Sequence, residues 1–296
     1  MKLTLGPLLG HWQPQAWADF YARVADEADV DRVVLGEVVC SKRLPFIADL
    51  MAPAMERLSR AGKQVVLASL ALVTLPRERA LCADVAAATE GLVEVNDPTL
   101  LHYLERGRAF TVGPLVNVYN EGTLAYLAAR GAETVCLPPE LPLAAITALA
   151  AAKVTDIEVW GFGRVPLAIS GRCYHARVHG LHKDSCQFVC GEDPDGLPVE
   201  TLDHESFLAV NGVQTLSFTA ACVLQEVDAL KQAGVARLRL SPQQTDMVAV
   251  AKIFRERIKG SLAAAAAVRQ LQALVPDMPL ANGFMVGRFG AERITV

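Results

Sequence analysis

Short runs of β-branched and aliphatic residues alternate with longer stretches of helical periodicity along the chain, and no other feature limits the fold as tightly. Eight runs read as strands, near residues 2–8, 32–39, 64–70, 91–95, 109–118, 133–138, 156–168 and 235–241. Between them Gln15–Ala28, Arg43–Ala61, Pro76–Thr89, Pro98–Gly107, Glu121–Gly131, Leu143–Ala152 and Ala221–Gly234 read as helices. A last helical stretch, Gln244–Leu274, is expected to break near Lys259-Gly260-Ser261. Pro76 and Pro98 fall in first turns and Gly62, Gly107, Gly131 and Gly234 just past the ends, the positions each residue tolerates best. Strands and helices in strict alternation are the mark of βαβ units and a parallel sheet. Eight of them predict an α/β fold, a (β/α)8 TIM-like barrel, with residues 1–296 forming a single barrel-like domain. A doubly wound open sheet is the alternative, but no Gly-x-Gly-x-x-Gly follows the first strand.

Hydrophobic residues make up 52% of the chain and charged residues 20%, which excludes a disordered polypeptide. No apolar run reaches the roughly eighteen residues needed to span a bilayer, and Met1-Lys2-Leu3-Thr4-Leu5 reads as a strand start without a signal-peptide layout. A cytoplasmic location without a transmembrane segment is expected. Seven cysteines at uneven spacings do not suit a disulfide framework, so reduced, ligating thiols are expected instead. A net charge of -4 offers no global basic face, which disfavours nucleic acid as the main partner.

One stretch departs from the alternation. Residues 169–219, between the seventh and eighth strands, are too long for a plain βα loop and are expected to form a metal-binding insertion. They carry Cys173, Cys186 and Cys190. Three thiols close in sequence on a Gly-, His- and Lys-containing loop suit a metal or iron-sulfur centre better than a packed core. A fourth candidate, Cys40, ends the apolar run after the second strand, so all four thiols leave the C-terminal ends of barrel strands, the face on which barrels build active sites. Four thiolates admit either a tetrahedral zinc or a four-iron cluster. Only Cys186 and Cys190 approach a zinc knuckle, whereas a cubane collects single ligands from scattered loops. The cluster is favoured; zinc and a metal-free loop stay open. Cys82, Cys136 and Cys222 read as small buried hydrophobes, the last at a helix start.

Arg172, His175, Arg177, His179, His182 and Lys183 make the same stretch locally basic, which favours thiolates and attracts an anionic small molecule. Arg172, His175 and Arg177 are therefore candidate substrate contacts. Glu37, Asn117, Tyr119 and Glu140, polar residues at strand ends, are the others, with turn chemistry as the plainer explanation. A serine hydrolase is hard to support, since there is no Gly-x-Ser-x-Gly and Ser170 has no evident base.

Several stretches together resemble the collagenase-like peptidases of unknown catalytic type. They are Gly36-Glu37-Val38-Val39-Cys40-Ser41-Lys42-Arg43, Val116-Asn117-Val118-Tyr119-Asn120, Ser170-Gly171-Arg172-Cys173-Tyr174-His175-Ala176-Arg177, the run from Gly180 to Cys190 with Asp193–Leu197, and Val210–Ser217. The resemblance spans essentially the whole chain. The family pattern places a His-Gly-x-x-Cys before the Ser-Gly-Arg-Cys; here Phe162 and Pro166 stand at its His and Cys positions, and Cys40 looks like the replacement ligand. The missing pair weighs against peptidase activity and against the RNA-hydroxylating branch of the family. The resemblance implies a [4Fe-4S] cluster on Cys40, Cys173, Cys186 and Cys190, and a heterodimer with a UbiU-like paralogue. With a lipid-binding accessory protein, such a pair would hydroxylate ubiquinone precursors without dioxygen, prephenate being the implied oxygen source. A peptidase-like hydrolase with a structural metal and a non-catalytic scaffold are the alternative readings.

Overall fold

The computed structural model describes residues 1–88 and 91–294. Strands β1 (Lys2–Leu5), β2 (Arg32–Leu35), β3 (Gln64–Ala68), β4 (Leu92–Val95), β5 (Phe110–Val112), β6 (Ala132–Cys136) and β7 (Asp156–Ile169) pair in parallel in chain order. Then β8 (Leu197–Glu200), β9 (Ser206–Asn211) and β10 (Gln214–Cys222) form an antiparallel extension, with β10 laid along β7. Strand β11 (Arg237–Leu240) pairs in parallel with both β7 and β1, Leu5 opposite Leu240, and so closes an eight-stranded parallel barrel. The expected (β/α)8 architecture is present, and the open sheet is excluded by the β11–β1 ladder.

Period-two alternation divides each barrel strand between two environments. Leu3, Leu5, Val33, Leu35, Val93, Val95, Val135, Ile157, Val159, Leu238 and Leu240 belong to the main core, which the surrounding helices cover. The alternate residues turn into the lumen, and several are charged. Arg239 lies between Glu94 and Glu158 there, with its Nε 2.6 Å from a Glu158 oxygen and Nη1 3.1 Å from Glu94; Thr4 Oγ1 donates to Glu158. The lumen is thus cross-linked by ions where barrels are usually filled by aliphatic layers.

The helices are α1 (Pro14–Glu27), α2 (Ala48–Arg60), α3 (Pro76–Ala87), α4 (Leu100–Tyr103), α5 (Glu121–Arg130), α6 (Leu143–Ala151), α7 (Tyr174–Val178), α8 (Val227–Gln232), α9 (Met247–Lys259) and α10 (Ala264–Leu274). The break between α9 and α10 falls at Gly260, whose φ of 79° only glycine adopts without strain. Thr89, the expected end of the third helix, lies outside the described residues.

Three expectations need correction. Arg43–Ala61 is not one helix: Pro45 holds Ser41–Phe46 in a 3-10 turn before α2 begins. Pro98–Gly107 supplies only the single turn α4. Ala221 and Cys222, read as a helix start, end β10, where Ala220 and Ala221 pair with β7 on one side and with β12 (Leu280–Ala281) on the other. Small residues there admit close neighbours on both sides, and the helix α8 starts only at Val227. The C-terminal tail folds back as expected. Asn282 Nδ2 donates to Glu226 and to the Ile294 carbonyl; Thr295 and Val296 lie outside the described residues. Among the described residues no helix is long and apolar enough to cross a membrane.

Candidate metal centre

Beyond the last residue of β2 the chain turns at Gly36, φ 134°, where a Cβ would stand 2.9 Å from the Ala68 carbonyl oxygen. Glu37 then shapes the loop. Its Oε1 accepts the backbone N–H groups of Val39 and Cys40, each at 2.8 Å, which fixes the orientation of the residue carrying the first thiol. Burial raises the Glu37 carboxyl pKa, and the Arg43 guanidinium and the two N–H groups oppose that rise.

The other three thiols come from the extension. Strand β7 continues past the barrel end, and Ser170 N donates to Val213 O at 2.8 Å, anchoring the segment that follows to the β9–β10 hairpin. Cys173 caps the short helix α7, its Sγ accepting from Ala176 N at 3.4 Å. Between Cys186 and Cys190 the chain passes through two left-handed residues, Gln187 (φ 49°) and Phe188 (φ 56°). Each costs about 1–2 kcal/mol relative to ordinary backbone, and the reversal lets both flanking cysteines face the same space. Cys173, Ala176 and Val213 share an apolar cluster with the lumen residues Val34 and Val66, so the cysteine segment sits on the C-terminal mouth of the barrel.

Cys40, Cys173, Cys186 and Cys190 all line one small cavity, together with Arg43, Lys183, Phe188 and Gly212. Sequence positions 40 and 173–190 are thereby brought together. Among the described residues no three Cys, His, Asp or Glu side chains converge closely enough to hold a single metal ion. The donor set, four thiols around one small cavity, is one that either a tetrahedral zinc or an iron-sulfur cubane takes.

Arg43 joins the two halves of this cavity. Only 2% exposed, it donates to Leu9 O at 3.1 Å and Asn211 Oδ1 at 2.6 Å, it lines the cavity with Cys190, and its Nε is buried without a partner. Asn211 in turn donates to the carbonyls of Cys190 (2.8 Å) and Asp193 (2.7 Å). Burial raises the pKa of Cys40 and of Cys190, with Arg43 pulling both back, and burial raises Cys173 against the Ala176 N–H. Buried thiols of this kind ionise on binding a metal, which displaces the proton. Beside them His11 packs edge-on against Phe46 at 5.2 Å, and burial together with Arg43 lowers its pKa to about 4.

The residues read as substrate contacts are dispersed. Glu37 lines a separate 190 Å³ cavity with Met51, Leu67 and Cys82. Asn117 is exposed and left-handed (φ 62°), as a turn residue. Tyr119 donates its hydroxyl to Glu140, away from the thiols. Arg172 and Arg177 are exposed. His175 has no surface to offer a substrate: it is fully buried, with Nδ1 3.1 Å from Val210 O and Nε2 3.3 Å from Asp193 Oδ2 but not aligned for a hydrogen bond. Its ring stacks on His179 at 5.2 Å. Cys82, Cys136 and Cys222 are buried, as expected of small hydrophobes. Sequence reasoning did not single out His11, Arg43 or Asn211. His11 follows the first strand, and Arg43 and Asn211 lie in the stretches that carry the family resemblance, but no local pattern marks any of the three as buried at the cavity.

A sequence profile described as Peptidase family U32 matches residues 16–295, nearly the whole chain. The chain belongs to peptidase family U32. Its fold is similar to that of the U32 peptidase Mk0906, with 13% identity and a TM-score of 0.43 over 82% of this chain and 93% of that one. An uncharacterized B. cereus protein is similar at 11% identity and a TM-score of 0.42, over 89% of this chain and 66% of that one. Within the U32 barrel, Phe162 stands fully buried and Pro166 pairs opposite Leu216 on β10, so neither position supplies a polar or sulfur group.

Proposed function

We propose that this U32 protein is the UbiV-like iron-sulfur subunit of a complex that hydroxylates ubiquinone precursors without dioxygen. The observation that supports it is the gathering of Cys40 with Cys173, Cys186 and Cys190 around one cavity, next to a buried guanidinium. Those four residues would hold a [4Fe-4S] cluster, and when bound the cluster supplies one-electron chemistry. Thiolate-ligated clusters carry net negative charge. Arg43, Lys42 and Lys183 are the cations of this chain that stand at the cavity to balance it, Lys42 Nζ bonding the Lys183 carbonyl at 2.5 Å. Loops that carry Cys40 and Cys190 are tied to each other through Arg43 and Asn211 before any cluster enters, which lowers the ordering cost of assembling it. The exposed Arg172 and Arg177 lie on the same segment and suit an anionic small molecule such as prephenate. A UbiU-like paralogue, as heterodimer partner, and a lipid-binding accessory protein complete the proposed assembly.

The test is iron and acid-labile sulfide analysis with electron paramagnetic resonance of protein purified without air. About four irons and four sulfides per chain are expected in the wild type, and Cys40→Ala should lose most of both. Colourless protein with stoichiometric zinc, or Cys40→Ala with unchanged iron, overturns the reading. Peptide cleavage by the protein alone would favour the hydrolase instead.

A further inference from the structure

The end of the barrel opposite the cysteines holds a second cluster of charged groups. Alternation along β11 puts Arg237 on the lumen side with Arg239, one layer nearer the N-terminal ends of the strands. Arg32 enters from β2 at the same level. Arg32 and Arg237 are 2% and 5% exposed, and both line a 960 Å³ cavity that opens at this face, with Thr134 and the exposed Lys2 and Lys153.

The two arginines are not equally satisfied. Arg32 donates from Nε to Gln64 Oε1 at 2.9 Å and from Nη1 to Thr134 Oγ1 at 3.1 Å. Arg237 has Nε and Nη1 both buried without a hydrogen-bond partner. Its charge is matched only in part, by Asp31 at the rim. Among the described residues the lumen holds three buried guanidiniums, Arg32, Arg237 and Arg239, and two buried carboxylates, Glu94 and Glu158, both of which Arg239 engages. Of the acids at the rim, Asp31 is already held by Leu3 N at 2.7 Å and Arg255 at 2.8 Å, while Glu133 and Asp156 are exposed. A buried cation with unmet N–H groups is a costly arrangement unless something polar and negative completes it.

We propose that this cavity binds a small oxyanion, inorganic phosphate or a carboxylate, on Arg237 and Arg32, with Lys2 and Lys153 drawing it in from solvent. The Nε and Nη1 hydrogens of Arg237 leave different edges of the guanidinium, so one ion meets only one of them. Nη1 shares its outer edge with Nη2, where two oxygens of one oxyanion dock side by side and a halide offers a single acceptor centre. The site is separate from the cysteine cavity and independent of what that cavity holds.

Thermal unfolding of the full chain, with inorganic phosphate titrated in one arm and acetate in another at ionic strength held constant with chloride, tests it. A saturable rise of the unfolding midpoint in either arm is expected, the arm that saturates identifying the anion class. Arg237→Met should weaken that response roughly tenfold or more, the loss expected for charge-assisted hydrogen bonds, and in anion-free buffer it should unfold no earlier than wild type. If Arg237→Met does not fold, Lys2→Ala/Lys153→Ala serves in its place, since both lysines are exposed; it should raise the half-saturating concentration several-fold. Flat responses in both arms would mean that water fills the cavity and would overturn the proposal. So would a response that Arg237→Met, or the double lysine variant in its place, leaves unchanged.

Discussion

At the residue scale, one buried guanidinium acts on several neighbours at once. Arg43 opposes the burial that raises the pKa of Cys40 and Cys190, and it adds to the burial that keeps His11 neutral. The consequence for His11 can be measured. Folded His11 takes a proton only near pH 4, whereas an unfolded histidine does so near pH 6.5. Between those values the unfolded chain binds more protons, so stability is complete above pH 6.5 and falls as the pH drops toward 4, by about 3 kcal/mol at most. His11→Phe, which keeps an aromatic ring against Phe46 and Phe188, should flatten that part of the curve in urea midpoints measured from pH 7 to pH 4. A wild-type curve no steeper than the variant's would refute the assignment. The cysteines were legible from sequence because thiols are rare and their chemistry is narrow. Arg43 was not, because an arginine following a cysteine looks the same whether it is solvated or buried.

At the element scale, the site depends on a hairpin that the expected loop between the seventh and eighth strands did not contain. Gly212-Val213 turns β9 into β10 next to Arg43, with Asn211 and Gln214 paired on either side. Gly212 has φ 66°, and a Cβ there would stand 2.3 Å from Arg43 Nη2, which is pinned by Asn211. Gly62, past the end of α2, has φ 76° and open space around it. Gly62→Ala should therefore cost only the left-handed penalty of about 1 kcal/mol, and Gly212→Ala about 2–4 kcal/mol, the excess coming from displaced Arg43. Equal shifts in denaturant midpoint for the two variants would show that Arg43 moves aside freely. A glycine opening a two-residue turn between alternating residues is a hairpin signal that can be read from sequence. The pairing of β10 with β7 is not, since the antiparallel partner lies some fifty residues upstream and no local pattern names it.

For the whole molecule, the charged lumen decides how the barrel tolerates change. Arg239 is 3% exposed and its partners Glu94 and Glu158 are fully buried, so Arg239→Met would strand two carboxylates and should destabilise the chain by about 3–5 kcal/mol. Arg57→Ala, which removes a solvent-exposed pair with Asp26, should leave the unfolding midpoint almost where it was when both variants are compared with wild type by scanning calorimetry. A comparable loss from both would mean that the lumen is wet enough to solvate the stranded acids. The order of strands and helices, the break at Gly260 and the candidate thiols were all written locally, because hydrophobic period, glycine conformation and sulfur chemistry are properties of neighbouring residues. Closure of β11 on β1, the ionic filling of the lumen and the meeting of Cys40 with three cysteines more than a hundred residues away came only with tertiary packing. They depend on which surfaces and charges face each other across the sheet, and a linear pattern does not hold that information.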